Sequence, residues 1–272
     1  MKTNQINNHQ SQGQALLIII MLLATIITVV TTVSFKSTTE TQITKLEEES
    51  QKTLAAAEAG IEKAIGDRIA SGSNLYTNLN LSNLSGIDLN SSTVTVSSNT
   101  GPNFVSPLIQ KDQQYTFYMS NYADGAFSSP YAGNIVTYYG SESNCSSLAL
   151  EITVISGNGP YTINKYISDS GGNITSPAGT GVNNIRNGAG ATINGTSFNC
   201  KTSATAMPGN AKLFIVRVIG NRTKLAIRGS NPVRPQGKFI VSEAISQTGV
   251  TKKIQLFQSL PQIPAEFFVT AM

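Results

Sequence analysis

From Ala15 to Val33 the chain runs for 19 residues without a charge, rich in Leu, Ile and Val, with only Thr25, Thr28, Thr31 and Thr32 as polar interruptions. At the rise of an α-helix this measures about 28 Å, close to the hydrocarbon thickness of a bilayer. The run therefore predicts a membrane-spanning helix. A cleaved secretory signal is the alternative, but its apolar core is about 7 to 15 residues and ends at a small-x-small site. Ser34-Phe35-Lys36-Ser37 matches that poorly.

The helical pattern does not stop at the end of the run. No proline occurs before Pro102, and between Gln14 and Arg68 the only glycines are Gly60 and Gly66. Ile43, Leu46, Leu54, Ile61, Ile65 and Ile69 recur at spacings that share one helical face. Residues 14–70 thus read as one helix, membrane-grade over 14–34 and amphipathic over 35–70. Each of the two glycines weakens a helix by about 1 kcal/mol, so its end or a kink is expected there.

Beyond Arg68 the period changes to short alternating runs. Strands are predicted at 93–97, 115–119, 135–139, 148–155, 161–167, 212–219, 223–228, 238–245 and 250–257, with turn signals such as Asp124-Gly125, Gly220-Asn221 and Thr248-Gly249 between them. The fold class is α+β: a long N-terminal helix and a β-rich antiparallel C-terminal head. Within the head, 71–210 is sparsely charged and rich in Ser, Thr, Asn and Gly, and Ser168 to Thr205 reads as a long surface loop. Residues 211–272 read as a basic antiparallel meander followed by a tail. That segment holds nine Lys/Arg against Glu243 and Glu266, a balance of +7 in a chain whose net charge is +4.

The meander places Arg217, Lys224, Arg228 and Lys252 among alternating apolar residues, so one face is expected to pack on the helix stripe. Three readings of the basic face stay open: a solvated surface, contact with nucleic acid or an anionic cell-wall polymer, and pairing with the Glu47–Glu49 run of another subunit. Cys145 and Cys200 lie outside the membrane in this topology. An exported pair forms a disulfide more readily than a metal site. The only histidine is His9, which excludes Ser-His-Asp and Cys-His catalysis and His-based metal centres over the rest of the chain. Among Asp112, Asp124, Glu142, Glu151 and Asp169 no spacing favours a glycosidase pair. No enzyme, metal or cofactor is expected. The prolines and aromatics of Leu260 to Phe268 are expected to pack back on the head.

Three segments carry a family likeness: Gly13-Gln14-Ala15-Leu16-Leu17-Ile18-Ile19-Ile20, Lys45-Leu46-Glu47-Glu48-Glu49-Ser50, and Leu54-Ala55-Ala56-Ala57-Glu58-Ala59-Gly60-Ile61. Together they resemble the leader and N-terminal helix of type IV pilins and secretion pseudopilins, most specifically of PilX-type minor pilins. The resemblance covers about residues 8–65. It implies a lollipop fold, a leader of residues 1–13 removed after Gly13 by a prepilin peptidase, and Gln14 as an N-methylated mature terminus. It also implies assembly through Ala15, Leu16, Leu17, Ile18 and Leu22 on the helix.

The implied partners are other pilin subunits, the peptidase and an inner-membrane assembly platform. The implied location is a single pass in the membrane, then the cell surface or an extracytoplasmic pseudopilus. Two positions depart from the family pattern. Gln12 stands where many leaders have Lys or Arg, and Ile18 stands where major pilins carry Glu. The second departure resembles minor subunits at a fibre tip. A single-pass surface adhesin or polyanion-binding protein that never polymerises is the other reading of the same helix.

Overall fold

The computed structural model describes residues 10–67, 86–88, 91–99, 101–123, 125–169, 171, 182–184 and 187–264. The predicted residues Ile69, Asp124 and Glu266 to Phe268 lie outside that range. The chain is α+β, with one long helix, α1 (Gln10–Gly66), followed by strands. These are β1 (Thr93–Ser98), β2 (Asn103–Ile109), β3 (Gln114–Tyr118), β4 (Ser120–Ala123), β5 (Ala126–Pro130), β6 (Asn134–Tyr139), β7 (Leu148–Ser156), β8 (Thr162–Asp169) and β9 (Val182–Asn184). There follow β10 (Asn187–Ala189), β11 (Thr192–Ile193), β12 (Thr196–Ser197), β13 (Cys200–Thr202), β14 (Thr205–Ala206), β15 (Ala211–Gly220), β16 (Thr223–Gly229), β17 (Gly237–Ile245) and β18 (Thr251–Ser259). All nine predicted strands are present to within a residue or two.

Two compact units divide the chain: Met1–Gly60 with Tyr76–Thr93 and Ser242–Ile254, and Ile61–Leu75 with Val94–Val241 and Gln255–Met272. The second unit contains a sandwich. One sheet has the order β3-β15-β7-β8-β9, and the other runs β10-β13-β6-β16-β2 with β14 also paired to β6. Every pairing in these two sheets is antiparallel except β8 with β9. Phe117, Phe214, Val216, Leu150 and Ile152 of the first sheet join Phe104, Ile135, Tyr139, Leu225 and Ile227 of the second in one buried core. The Phe104 ring lies 6.2 Å from Phe117 across the interface. Each such side chain contributes about 1.5–3 kcal/mol on leaving water.

The expected meander of β15 to β18 is not formed. β15 pairs with β3 and β7, β16 pairs with β2 and β6, and β17 and β18 belong to a third sheet of order β1-β17-β18. The reason is burial on two sides. Phe214, Val216 and Val218 face the core while Leu213 and Ile215 pack with Tyr118 on the other face, and a strand apolar on both faces belongs in a sheet centre. The short Gly220 to Arg222 connection therefore passes from one sheet to the other instead of closing a hairpin.

The expected loop over Ser168 to Thr205 is also partly strand. β9 to β13 lie within it, and Ile193 and Phe198 are buried against Tyr138 and Ala226. Residues 172–181 and 185–186 lie outside the described range. The tail packs as expected through Leu260 and Ile263, beside Tyr118, Leu213 and Ile215, and Tyr118 Oη donates to Pro261 O at 2.7 Å.

Of the predicted apolar stripe α1 buries Ile61, at 9%, among the described residues, and the rest of its buried face is small: Thr53, Ala56, Ala57 and Ala64. Ala56 and Ala57 pack with Ile87, Ala244 and Ile254, Thr53 is buried, and Thr248 Oγ1 donates to the Glu49 carboxylate. Ile43, Leu46 and Leu54 stay exposed at 50%, 57% and 41%. Small residues make up most of this face, and Ile61, one turn beyond Ala57, is the large side chain that joins them. The helix ends at Gly66, where Asp67 N donates to Lys63 O at 2.9 Å.

Candidate functional site

The N-terminal half of α1 is the first candidate. Leu16, Leu17, Ile18 and Leu22 are 57–61% exposed, and every large apolar side chain from Leu16 to Val33 is more than half exposed. Ala15, Ile18 and Leu22 are spaced to share one helical face. Leu16, Leu17, Ile19 and Ile20 fill the others, so the surface is apolar all round. Gly13 and Gln14 lie in the first turns, with helical backbone.

The threonines do not break this surface. Thr25 Oγ1 donates to Leu22 O at 2.8 Å, Thr28 Oγ1 to Ala24 O at 2.7 Å, Thr31 Oγ1 to Ile27 O at 2.8 Å and Thr32 Oγ1 to Thr28 O at 2.7 Å. Each hydroxyl hydrogen is thus used inside the helix, and only methyl groups are offered outward at little polar cost. The helix is long and apolar enough to cross a membrane, and none of its most apolar window is buried.

Below this span α1 turns to charge. Lys36 pairs with Glu40 at 3.8 Å and Lys52 with Glu48 at 2.7 Å, each one helical turn apart. The hydrogen bond from Lys52 holds the Glu48 carboxyl below its ordinary pKa. These are water-facing pairs worth little to stability.

The four residues offered as possible polyanion contacts lie on three different sheets. Arg217 on β15 lies 3.7 Å from Glu151, which also pairs with Lys165 at 3.6 Å, and its side chain is only 20% exposed. Lys224 and Arg228 lie on β16 in the other sheet of the sandwich. There Arg228 Nε donates to Asn103 Oδ1 at 3.2 Å and its guanidinium sits 5.5 Å from the centre of the Tyr138 ring. Lys252 is on β18 of the three-stranded sheet. Positive charge that is close in sequence is therefore distributed over three sheets.

Cys145 and Cys200 are bonded, at 2.05 Å with 5.8 Å between their Cα atoms. Cys145 opens a 3-10 turn that leads directly into β7, and Cys200 begins β13, so the bond joins the two sheets of the sandwich. Close to it, the connections at 110–111, 141–147 and 220–222 form polar clefts that the sequence reading did not single out. The one signal for them was the pair of glycine turns, Gly140-Ser141 and Gly220-Asn221. Among the described residues no three His, Cys, Asp or Glu side chains gather as metal ligands. Compared with protein-family models, curated proteins and solved structures, the chain matches none.

Proposed function

We propose that this chain is a structural subunit of a type IV pilus or related pseudopilus, of the minor, tip-placed kind, cut after Gly13 and assembled through α1. One observation carries the reading. The segment from Leu16 to Val33 exposes an apolar surface on every side with its hydroxyls bonded internally. A surface of this kind is unstable in water. Lipid covers it before assembly, and the helices of neighbouring subunits cover it afterwards.

The sequence around Gly13 supplies the processing step. A leader of 13 residues carrying only Lys2 as a charged side chain does not anchor the chain, and its removal frees Gln14 for transfer out of the membrane. Cutting after Gly13 requires the helix to open locally, and glycine makes opening cheaper by about 1 kcal/mol. The lollipop arrangement and final placement at the cell surface belong to the same proposal.

The alternative is a single-pass surface protein that keeps its leader and never polymerises. Intact mass and N-terminal sequencing of the chain from membranes containing a prepilin peptidase separate the two. The expected product lacks residues 1–13 and begins at Gln14, and Gly13→Ala leaves the full-length precursor in the membrane. A mature chain that begins at Met1, or after Ser34, overturns the pilin reading.

A further inference from the structure

We infer that the end of the sandwich beside the disulfide is a saccharide-binding site with a preference for an acidic sugar. Two adjoining shallow clefts open there, of about 340 and 520 Å³. They share Glu142, Ser143 and Asn221. Gln110 and Lys111 extend one, and Asn144 and Asn199 the other. No Leu, Ile, Val, Met or aromatic side chain lines either cleft.

The lining decides the ligand class. An apolar molecule gains nothing from walls of amides, hydroxyls and charges that water already satisfies. A ligand that is itself a set of hydroxyls replaces that water bond for bond. With no ring to stack on, affinity rests on hydrogen bonds alone and is expected to be weak.

The walls are fixed before a ligand arrives. Gly140 N and Ser141 N both donate to Thr223 Oγ1, at 2.9 and 3.1 Å, and Lys224 N donates to Ser141 Oγ at 2.9 Å. Asn199 Nδ2 donates to Ser143 O at 3.2 Å, and the disulfide ties Cys145 to the residue after Asn199. Two glycines are required by this packing. A Cβ on Gly140, at φ 76°, would lie 2.8 Å from Cys200 Sγ, and one on Gly220, at φ 98°, would lie 2.2 Å from Ser147 O. Walls held this firmly lose little entropy on binding.

Charge selects within the class. Arg222 Nε meets Glu142 Oε2 at 2.9 Å, so that pair compensates itself. Lys111 has no ion-pair partner among the described residues and leaves the cleft one positive charge in excess. A uronic or similar carboxylated sugar places its carboxylate at Lys111 and its hydroxyls along Ser143 and Asn221.

This inference stands whether or not the chain polymerises. The test is saturation-transfer NMR on the full chain in lipid nanodiscs, with glucuronic acid and glucose as probes. Transfer to glucuronic acid is expected to exceed that to glucose. It should fall about threefold in Lys111→Ala, the worth of one exposed ion pair, and be lost in the double variant Ser143→Ala, Asn221→Ala. Intact mass confirming the disulfide and an unchanged melting temperature exclude misfolding as the cause. No transfer to glucuronic acid, equal transfer to glucose, or transfer undiminished in the variants overturns the assignment.

Discussion

Gln236 gives Tyr118 the two backbone hydrogen bonds that a neighbouring strand would otherwise give: its Oε1 accepts from Tyr118 N at 2.8 Å and its Nε2 donates to Tyr118 O at 2.8 Å. Two residues along the same edge of β3, Gln262 Oε1 accepts from Thr116 N at 2.8 Å. Side-chain amides thus occupy an edge that would otherwise be open to another chain.

Replacing Gln236 by Ala strands two buried backbone groups. At about 1–3 kcal/mol for each unpaired group, Gln236→Ala is expected to lower stability by about 3 kcal/mol. Gln262→Ala, at a more open position, should cost about 1 kcal/mol. Urea unfolding followed by near-ultraviolet circular dichroism checks both values. Sedimentation of the double variant should show self-association through the freed edge.

Tyr115 carries a hydroxyl into the core without a partner among the described residues. Its ring lies 4.9 Å from Phe117 and 6.1 Å from Phe104, and burial pushes its phenol well above the ordinary tyrosine value. The folded state therefore keeps this proton where the unfolded chain releases it. Stability from this group is complete below about pH 10 and falls as pH rises beyond that. Tyr115→Phe should raise stability by about 1 kcal/mol at neutral pH and flatten the alkaline decline, measured as melting temperature against pH.

Apart from Ile61 the face that α1 buries is made of small side chains, which makes it sensitive to volume. Ala57→Leu inserts three carbons between the helix and the cluster of Ile87, Ala244 and Ile254 and is expected to cost about 1–3 kcal/mol. Leu54→Ser, on the exposed stripe, should change stability by less than about 0.5 kcal/mol. Melting curves of the two variants should differ clearly. Equal effects would show that the stripe and not the alanine face carries the packing.

Removing the disulfide as Cys145→Ser, Cys200→Ser releases a loop of 55 residues in the unfolded chain. The chain-entropy estimate for that length is about 4 kcal/mol. Denaturant midpoints with and without the bond measure it, and the clefts beside the bond should become open to protease in the variant first.

Legibility followed the physics of each element. The α+β class, the long helix and nine of the strands were visible because apolar periodicity is local. β2 escaped because Pro107 and Ser106 interrupt its alternation, yet as the last strand of its sheet it tolerates proline. The pairing of β15 and β16 was misread because a short turn joins strands within one sheet or across a sandwich with the same residues. Only burial on both faces of β15 separates the two cases. Of the large apolar stripe on the helix Ile61 is buried and Ile43, Leu46, Leu54 and Ile65 are not, because the buried face is completed by Thr53, Ala56, Ala57 and Ala64, small residues that hydrophobic periodicity does not mark. The clefts at 110–111, 141–147 and 220–222 depend on residues far apart in sequence meeting at one end of the sandwich, and no local pattern announces that.

The bond between Cys145 and Cys200 also has a mechanical meaning. A pull applied to the chain travels through the sulfur bridge and bypasses everything between the two cysteines. With a separation of 55 residues, about 190 Å of contour length cannot be drawn out however far the rest extends. The segment from 146 to 199, with β7 and β8 inside it, is sheltered from the load, while the strands outside the bridge bear it.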